Sequence, residues 1–242
     1  MNDFTKLSKV YNSNITACKP DKYYSILPTI LKILKPQKRN TILDLGCGAG
    51  YFTHPLAHLT SGLVIGIDNS PTQLALAKKV SSSKIQYVLA DIFNGPLPSS
   101  DAINAPFVLN YASSLSQLEH LLQNCFHSLT SNGRLVGVID IPNAEDQQEK
   151  KKYGAIKLYE GKLIDGTVLD ILLYSKNQLQ CSLKSIFYSP NTILTLLTKV
   201  GFSHIQWHSP LISQEGIEVF GQDFWKNYAA CCELGYFSAT KK

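Results

Sequence analysis

The stretch Thr41-Ile-Leu-Asp-Leu-Gly-Cys-Gly-Ala-Gly50 decides the fold class of this chain. Ile42, Leu43 and Leu45 form a short apolar run of the kind that a buried parallel strand requires. Three glycines then alternate with small residues, so the backbone can turn sharply and bring its N–H groups close to a ligand. A strand that runs directly into such a turn predicts the first strand and ligand-binding loop of an α/β sheet.

One carboxylate, Asp44, interrupts the apolar strand just before the turn. Burying a charge there is costly unless a cation or a hydrogen-bond donor compensates it. We therefore expect a ligand that carries an ammonium group beside Asp44. A nicotinamide or flavin site is the alternative, but its Gly-x-Gly-x-x-Gly fingerprint places the third glycine where this chain has Tyr51. Here the third glycine comes one position early, at Gly50.

Two further apolar runs also end in an acid, at Asp68 and at Asp91. In a βαβ unit, an acid at the end of the second strand can accept hydrogen bonds from both hydroxyls of a ribose. Asp91 follows the next strand, where it would meet an exocyclic amine such as adenine N6. Between the two acids, Ser70 and Pro71 predict the beginning of a helix.

These motifs make the chain resemble the class I S-adenosylmethionine-dependent methyltransferases. The resemblance rests on residues 42–52, 66–70, 89–92 and 132–136. It implies an α/β, Rossmann-like fold with a seven-stranded, mostly parallel sheet and helices on both faces. It also implies S-adenosyl-L-methionine as the cofactor.

The resemblance further implies which residues bind that cofactor. Asp44 and the glycine turn would border the methionine part, Asp68 would bind the ribose, and Asp91 would meet the adenine amine. Residues after the fourth strand would border the place where cofactor and substrate meet. The complete expected set is Asp44, Gly46, Cys47, Gly48, Gly50, Asp68, Asn69, Gln73, Asp91, Ile92, Ala105 and Phe107.

Composition indicates a globular protein, since 44% of the 242 residues are hydrophobic and 17% are charged. The formal net charge is +5, but the basic residues are scattered, and the densest run, 150–152, is interpreted as a solvated helix face. We therefore do not expect a nucleic-acid partner. The six cysteines have no zinc-ligand spacing with the histidines, so we expect free thiols and no metal. The N-terminal residues lack the apolar core of a signal peptide, and we expect a cytoplasmic protein without a membrane partner.

The chain is predicted to divide into an N-terminal helical cap, 1–39, and a methyltransferase domain, 40–242. Apolar spacing over 22–34 predicts a helix within the cap. Tyr11 and Tyr24, both in the cap, are candidates for contacting the methionine carboxylate. The pattern changes over 141–190, which predicts an antiparallel insertion of two or three strands after the fifth strand and over the active site.

Methyl transfer needs a base only when the acceptor must lose a proton. Tyr111 and Asp140, at the ends of the fourth and fifth strands, are the candidate catalytic residues, and His208 and Glu215 are more remote. The aromatic faces of Phe107, Tyr111 and Trp225 are candidates for holding a flat substrate and for cation–π attraction to a sulfonium.

Residues 212–228, together with 105–112 and the insertion, also resemble the toxoflavin-synthase-like group of small-molecule methyltransferases. That resemblance implies methylation at nitrogen or oxygen of a small, heteroaromatic metabolite by a monomer or homodimer. An RNA or protein methyltransferase is the alternative, although residues 104–107 read Asn-Ala-Pro-Phe where base-amine methyltransferases carry Asn/Asp-Pro-Pro-Tyr/Phe. A non-catalytic scaffold that binds S-adenosylmethionine is the second alternative.

Overall fold

The computed structural model of the protein describes residues 19–35, 40–80 and 82–242. Its main sheet has seven strands in the order β3-β2-β1-β4-β5-β10-β9. The strands of this sheet are β1 (Ile42–Leu45), β2 (Val64–Asp68), β3 (Ile85–Leu89), β4 (Ser100–Pro106), β5 (Leu129–Asp140), β9 (Ser203–His208) and β10 (Leu234–Thr240). The first five strands pair in parallel, and β10 pairs antiparallel with both β5 and β9. The predicted α/β fold with a mostly parallel seven-stranded sheet is confirmed.

The order of the strands indicates where a ligand would bind in this fold. The chain runs outward from β1 through β2 to β3, then returns to the other side of β1 and continues through β4 and β5. Such a reversal opens a crevice beyond the carboxyl ends of the two central strands, here β1 and β4. The glycine turn follows β1, and residues 107–111 follow β4, so both predicted segments reach this crevice.

Helices cover both faces of the sheet. Serines 70, 114 and 189 each accept a backbone N–H at a helix start, which stabilises the first turn. Residues 22–34 are helical as predicted, but their first turn, Lys22–Ile26, is π-helical. The other helices are Leu27–Leu34, Thr53–Leu59, Pro71–Ala77, Leu115–Ser128, Gln147–Tyr153, Pro190–Val200, Gln214–Phe220, Gln222–Trp225 and Tyr228–Cys231, with one 3-10 turn at Leu109–Tyr111.

The insertion is a separate three-stranded antiparallel sheet, as the sequence predicts. Its strands are β6 (Ala155–Leu158), β7 (Val168–Ser175) and β8 (Gln178–Ile186), in the order β6-β7-β8. Leu169, Ile171 and Leu173 alternate along β7 and pack with Leu183 of β8, which gives the insertion a hydrophobic cluster of its own. The boundary drawn between a cap and a domain stays a prediction, and Tyr11 lies outside the described residues.

The hydrophobic core has two main layers, one on each face of the large sheet. Leu43 and Leu45 of β1 belong to the layer that contains helices Leu115–Ser128 and Pro190–Val200. Ile42 belongs to the opposite layer with helix Leu27–Leu34. A strand buried on both faces explains why this part of the sequence is almost continuously apolar.

Close packing between β5 and β10 leads to a testable prediction. Gly137 lies opposite Phe237 in the register, and a Cβ at this position would overlap the Phe237 ring. We expect Gly137→Ala to lower the free energy of unfolding by about 1–3 kcal/mol through overpacking. Denaturant unfolding measures this change, and Gly137→Ala combined with Phe237→Leu is expected to recover part of it. A double variant no more stable than Gly137→Ala would contradict the predicted contact.

Candidate active site

A cavity of about 1000 Å³ opens at the carboxyl ends of the central strands. This volume lies at the upper end of the range of roughly 300–1,000 Å³ that is usual for small-molecule sites. Nine of the twelve residues expected to bind a cofactor line it, namely Gly46, Cys47, Gly48, Asp68, Asn69, Gln73, Asp91, Ile92 and Phe107. Both candidate catalytic residues, Tyr111 and Asp140, line the same cavity.

The glycine turn is held to the end of β2 by one side chain. The backbone N–H of Gly48 donates to Asp68 Oδ2 at 2.8 Å, and Gly46 and Gly48 have φ values of 62° and 53°. A Cβ at Gly46 would overlap the side chain of Val108, which follows β4. The turn therefore needs glycine both for its left-handed backbone and for its close approach to the opposite wall.

Asp68 has a second backbone partner and still faces the cavity. Its Oδ1 accepts the N–H of Ser70 at 2.8 Å, and burial raises the pKa of its carboxyl. A carboxylate has about four lone-pair sites, so two remain for ligand hydroxyls after these two bonds. Asp68 can thus fix the turn and accept hydrogen bonds from a diol.

Asp91 is fixed in a similar way at the end of β3. Its Oδ1 accepts the N–H of Phe93 at 3.0 Å, and its Oδ2 accepts Asn94 Nδ2 at 2.7 Å. The next residue, Ile92, is buried and lines the cavity, as does Gln73. This end of the cavity therefore presents a carboxylate next to an apolar wall, which suits a flat ring that bears an amine.

Asp44 lies beneath the turn rather than on the cavity wall. It has no exposed surface, and its two oxygens accept Thr53 Oγ1 at 2.6 Å and Asn104 Nδ2 at 2.8 Å. The protein thus supplies a donor to each oxygen itself, and a contact between Asp44 and a ligand ammonium stays a prediction. Burial nevertheless raises the pKa of Asp44 to about 6, against the lowering effect of these two bonds.

Gly50 and Ala105 also lie away from the cavity wall. A Cβ at Gly50 would collide with the hydroxyl of Tyr87, which hydrogen-bonds His54 Nε2 at 2.9 Å. Gly50 therefore makes room for this pair of side chains. Ala105 is fully buried in the core, so the structure does not support direct ligand contact for either residue.

Phe107 lines the cavity and holds an unusual backbone conformation. Its φ is 65°, which is rare for a bulky residue, and its N–H donates to the carbonyl of Val138 at 2.8 Å. Strained backbone of this kind is concentrated at functional sites, where neighbouring structure maintains it. Tyr111 lies one turn further along, at the end of the 3-10 helix, and faces the same cavity.

The cavity extends into a lobe between β5, the insertion and residues 228–234, here called the inner lobe. Asp140 accepts Ser185 Oγ at 3.0 Å, and its Oδ1 lies 3.4 Å from Lys157 Nζ. Lys157 Nζ also donates to the carbonyl of Glu233 at 2.6 Å, and Lys150 Nζ donates to Glu233 Oε1 at 2.8 Å. All these charged side chains are buried and paired, which is how proteins tolerate charge in the interior.

Sequence reasoning missed most of the inner lobe. The interpretation of 150–152 as a solvated face is wrong for Lys150, which is 3% exposed and paired with Glu233. Glu233 does not belong to any recognisable sequence motif. It lies beside β5 because β10, which follows it, pairs antiparallel with β5. The single available signal was an isolated acid directly before an apolar strand.

The more remote candidates do not line this cavity. His208, on the edge strand β9, hydrogen-bonds Ser238, and Glu215 lies on an exposed helix turn. Trp225 is buried against Tyr153 and donates its indole N–H to the carbonyl of Gly216, so it packs rather than holds a ligand. Tyr24 packs against Phe220 and lines a neighbouring groove.

The described residues contain neither a metal-binding cluster nor a membrane-spanning helix. No group of three or more histidine, cysteine and acidic side chains comes together in a metal-binding arrangement over 19–35, 40–80 and 82–242. In the same part of the chain, no helix combines the length and the hydropathy that a bilayer span requires.

The pKa of Asp44 predicts a pH dependence of stability. Because its folded-state pKa, about 6, lies above the ordinary 3.8, the folded protein binds more protons than the unfolded chain between these values. The contribution of Asp44 to the free energy of unfolding therefore falls as pH rises through this window. Denaturant unfolding of wild type and Asp44→Asn at pH 4, 5, 6 and 7 tests it. The advantage of wild type over the variant should shrink with rising pH, and a constant difference would contradict the assignment.

Comparison with known proteins agrees with this geometry. Residues 42–133 match the family model described as "Methyltransferase domain". A mouse mitochondrial ubiquinone biosynthesis O-methyltransferase is 30% identical over 107 residues, which are 42% of this chain and 29% of that protein. The malonyl-[acyl-carrier protein] O-methyltransferase of Bacillus anthracis is 28% identical over 180 residues, 69% of this chain and 64% of that protein. The tRNA U34 carboxymethyltransferase of Glaesserella parasuis is 26% identical over 187 residues, 73% of this chain and 49% of that protein.

These matches thus span from less than a third to just under two thirds of the relatives' lengths. Solved structures match over much more of the chain. An S-adenosylmethionine-dependent methyltransferase from Mesorhizobium loti has a TM-score of 0.62 at 18% identity and covers 88% of this chain and 96% of its own. One from Clostridium acetobutylicum has a TM-score of 0.61 at 15% identity and covers 99% of both. Residues 42–133 therefore match a methyltransferase domain, and the chain has the Rossmann-like fold of the S-adenosylmethionine-dependent methyltransferases.

Proposed function

We propose that the protein is an enzyme that transfers the methyl group of S-adenosylmethionine to nitrogen or oxygen of a small molecule. The observation that carries this proposal is the continuity of the cavity. It joins the wall formed by Gly48, Asp68 and Asp91 to the inner lobe at Asp140 and Lys157. Its volume of about 1000 Å³ accommodates a nucleoside cofactor together with a small acceptor.

We propose different roles for the residues along this cavity. We assign the ribose hydroxyls to Asp68 and the adenine to Asp91 and Ile92, because all three residues line the cavity. When bound, the cofactor supplies a methyl group that is already activated as a sulfonium. The protein then has mainly to orient the two reactants, an effect that can contribute roughly 7–11 kcal/mol. Phe107 and Tyr111 stand where the reactants would meet and can favour the sulfonium by cation–π attraction.

Asp140 is our candidate for accepting a proton when the acceptor must lose one. It lines the inner lobe, and Ser185 and Lys157 hold its carboxylate in one orientation. Tyr111, which lines the same cavity, is the second candidate. Both assignments are proposals, as is the finer membership in the toxoflavin-synthase-like group with its heteroaromatic substrates.

RNA is the second candidate substrate, and one observation favours it besides the tRNA-modifying relative. A groove of about 490 Å³ lies beside the N-terminal segment and is lined by lysines and aromatic rings, including Lys151, Lys176, Tyr174 and Phe224. Interleaved cations and aromatic rings suit single-stranded nucleic acid. The inner lobe favours the small molecule, because its charged side chains are buried and are already paired within the protein.

The two candidates are separated by following a labelled methyl group. The purified protein is incubated with S-adenosylmethionine labelled in the methyl group and with either the small-molecule fraction or the tRNA fraction of a cell extract. We expect label in the small-molecule fraction alone, and Lys151→Glu combined with Lys176→Glu should leave that transfer unchanged. Label in tRNA that is lost in this double variant would favour the RNA candidate instead.

Asp68 gives a prediction on cofactor affinity. Asp68→Ala removes the acceptor for two backbone N–H groups as well as the ribose contact, so we expect a loss of affinity for S-adenosylmethionine of at least about tenfold. Asp68→Asn keeps one amide oxygen as acceptor and should lose less. Asp101→Ala is the matched control, because Asp101 also accepts two hydrogen bonds but lies outside the cavity wall. Calorimetric affinity unchanged in Asp68→Ala would contradict the placement of the ribose.

A further inference from the structure

We infer that the methyl acceptor is an uncharged molecule when it occupies the inner lobe. This inference rests on the proposed function and narrows the class of its substrate. It follows from four buried charged side chains that line the lobe, Asp140, Lys150, Lys157 and Glu233, which are here called the charge quartet. Its two carboxylates and two ammonium groups cancel, so the quartet presents no net charge to a ligand.

Glu233 connects the quartet from the position before β10. Its Oε1 accepts Lys150 Nζ at 2.8 Å and the backbone N–H of Asn143 at 3.2 Å. Its Oε2 accepts the backbone N–H of Lys157 at 2.8 Å. Because protein donors occupy both oxygens, the Glu233 carboxylate is not available to pair with a ligand cation.

The two lysines of the quartet are occupied in the same way. Lys150 Nζ also donates to the carbonyl of Asn143 at 2.7 Å. Lys157 Nζ donates to the carbonyl of Glu233 at 2.6 Å and lies 3.4 Å from Asp140 Oδ1. A ligand carboxylate could bind either ammonium group only by breaking a buried ion pair, which leaves a protein charge uncompensated. The quartet therefore disfavours an anionic acceptor.

Asp140 is the carboxylate of the quartet that a ligand reaches more easily. Its side chain is 7% exposed, against 2% for Glu233. A carboxylate has about four lone-pair sites, and Ser185 Oγ and Lys157 Nζ occupy two of them, so about two remain. An uncharged N–H or O–H group can donate to these sites. A ligand ammonium would instead compete with Lys157 for the same carboxylate and leave the charge of that lysine uncompensated.

The insertion contributes apolar side chains to the same lobe. Lys157 of β6 lies opposite Ile171 of β7 in the register, and Ile171 lies opposite Leu183 of β8. Ile171, Leu173 and Leu183 are buried and line the cavity. A charged group loses far more by leaving water for such surroundings than an uncharged group does. An acceptor in this lobe therefore buries an apolar body against the insertion.

The other lysines that line the cavity also have partners. Lys19 Nζ lies 3.7 Å from Asp21 Oδ1. Lys22 Nζ lies 4.0 Å from the centroid of the Tyr51 ring, and Tyr51 follows the glycine turn, so Lys22 lies on the side of the cavity that we assign to the cofactor. Among the described residues, every lysine that lines the cavity thus has a carboxylate or an aromatic ring as a partner.

A matched series of fragments tests the charge of the acceptor without knowledge of its identity. The protein is first loaded with S-adenosylhomocysteine, and failure of this step would count against the proposed function itself. Benzyl alcohol, benzylamine and benzoate, which share one ring and differ in charge, are then titrated at pH 7 by ligand-observed NMR. We expect benzyl alcohol to bind at least about tenfold more tightly than either ion. Benzylamine or benzoate binding as tightly as benzyl alcohol would overturn the inference.

Two variants should change the preference in opposite directions. Asp140→Asn leaves the quartet with one excess positive charge, so the affinity for benzoate should rise at least about tenfold. Lys157→Met leaves one excess negative charge, so the affinity for benzylamine should rise by a similar factor. Asp170→Asn combined with Lys184→Met is the matched control, because this ion pair of the insertion is exposed and does not line the cavity.

The control should bind all three fragments as the wild type does. Unchanged affinities for both ions in Asp140→Asn and Lys157→Met would contradict the inference, because the charge balance of the quartet would then not decide binding. The comparison of the three fragments in the wild type needs neither variant, so it decides the question even if a quartet variant fails to fold.

Discussion

The hydrogen bond from the Gly48 N–H to the Asp68 carboxylate is the interaction on which the site depends. It joins the turn after β1 to the end of β2, and the second Asp68 bond, from Ser70, begins the next helix. The left-handed glycines allow the turn to approach both this carboxylate and Val108 on the opposite wall. The glycine turn and the carboxylate at the end of β2 are therefore held in place at one junction.

The fold could be predicted from sequence because its determinants are local. Short apolar runs, each followed by a glycine turn or a helix cap, mark the strands and their order of appearance. The insertion also follows from a change in local pattern. The three short helices between β9 and β10 were missed, because Gln214–Phe220, Gln222–Trp225 and Tyr228–Cys231 are too brief to show a clear period.

The side-chain partners in the site could not be predicted, because they join residues far apart in the chain. The buried carboxylate of Asp44 accepts a hydrogen bond from Asn104, sixty positions later in the chain. The apolar pattern of the strands does not predict this partner. Lys150 is buried, whereas its neighbours Lys151 and Lys152 are half-exposed. Lys150 differs from them in burial because it forms an ion pair with Glu233. The sequence can thus predict that a buried charge needs a compensating partner. Which residue acts as that partner depends on tertiary packing.

The central claim is that the glycine turn and its acids bind S-adenosylmethionine. Calorimetric titration of the purified protein with S-adenosylmethionine and, separately, with NADH tests it most directly. The account predicts micromolar, one-to-one binding of S-adenosylmethionine and none of NADH. Binding of NADH alone would contradict the interpretation of the turn, and binding of neither would leave a scaffold that has lost its cofactor.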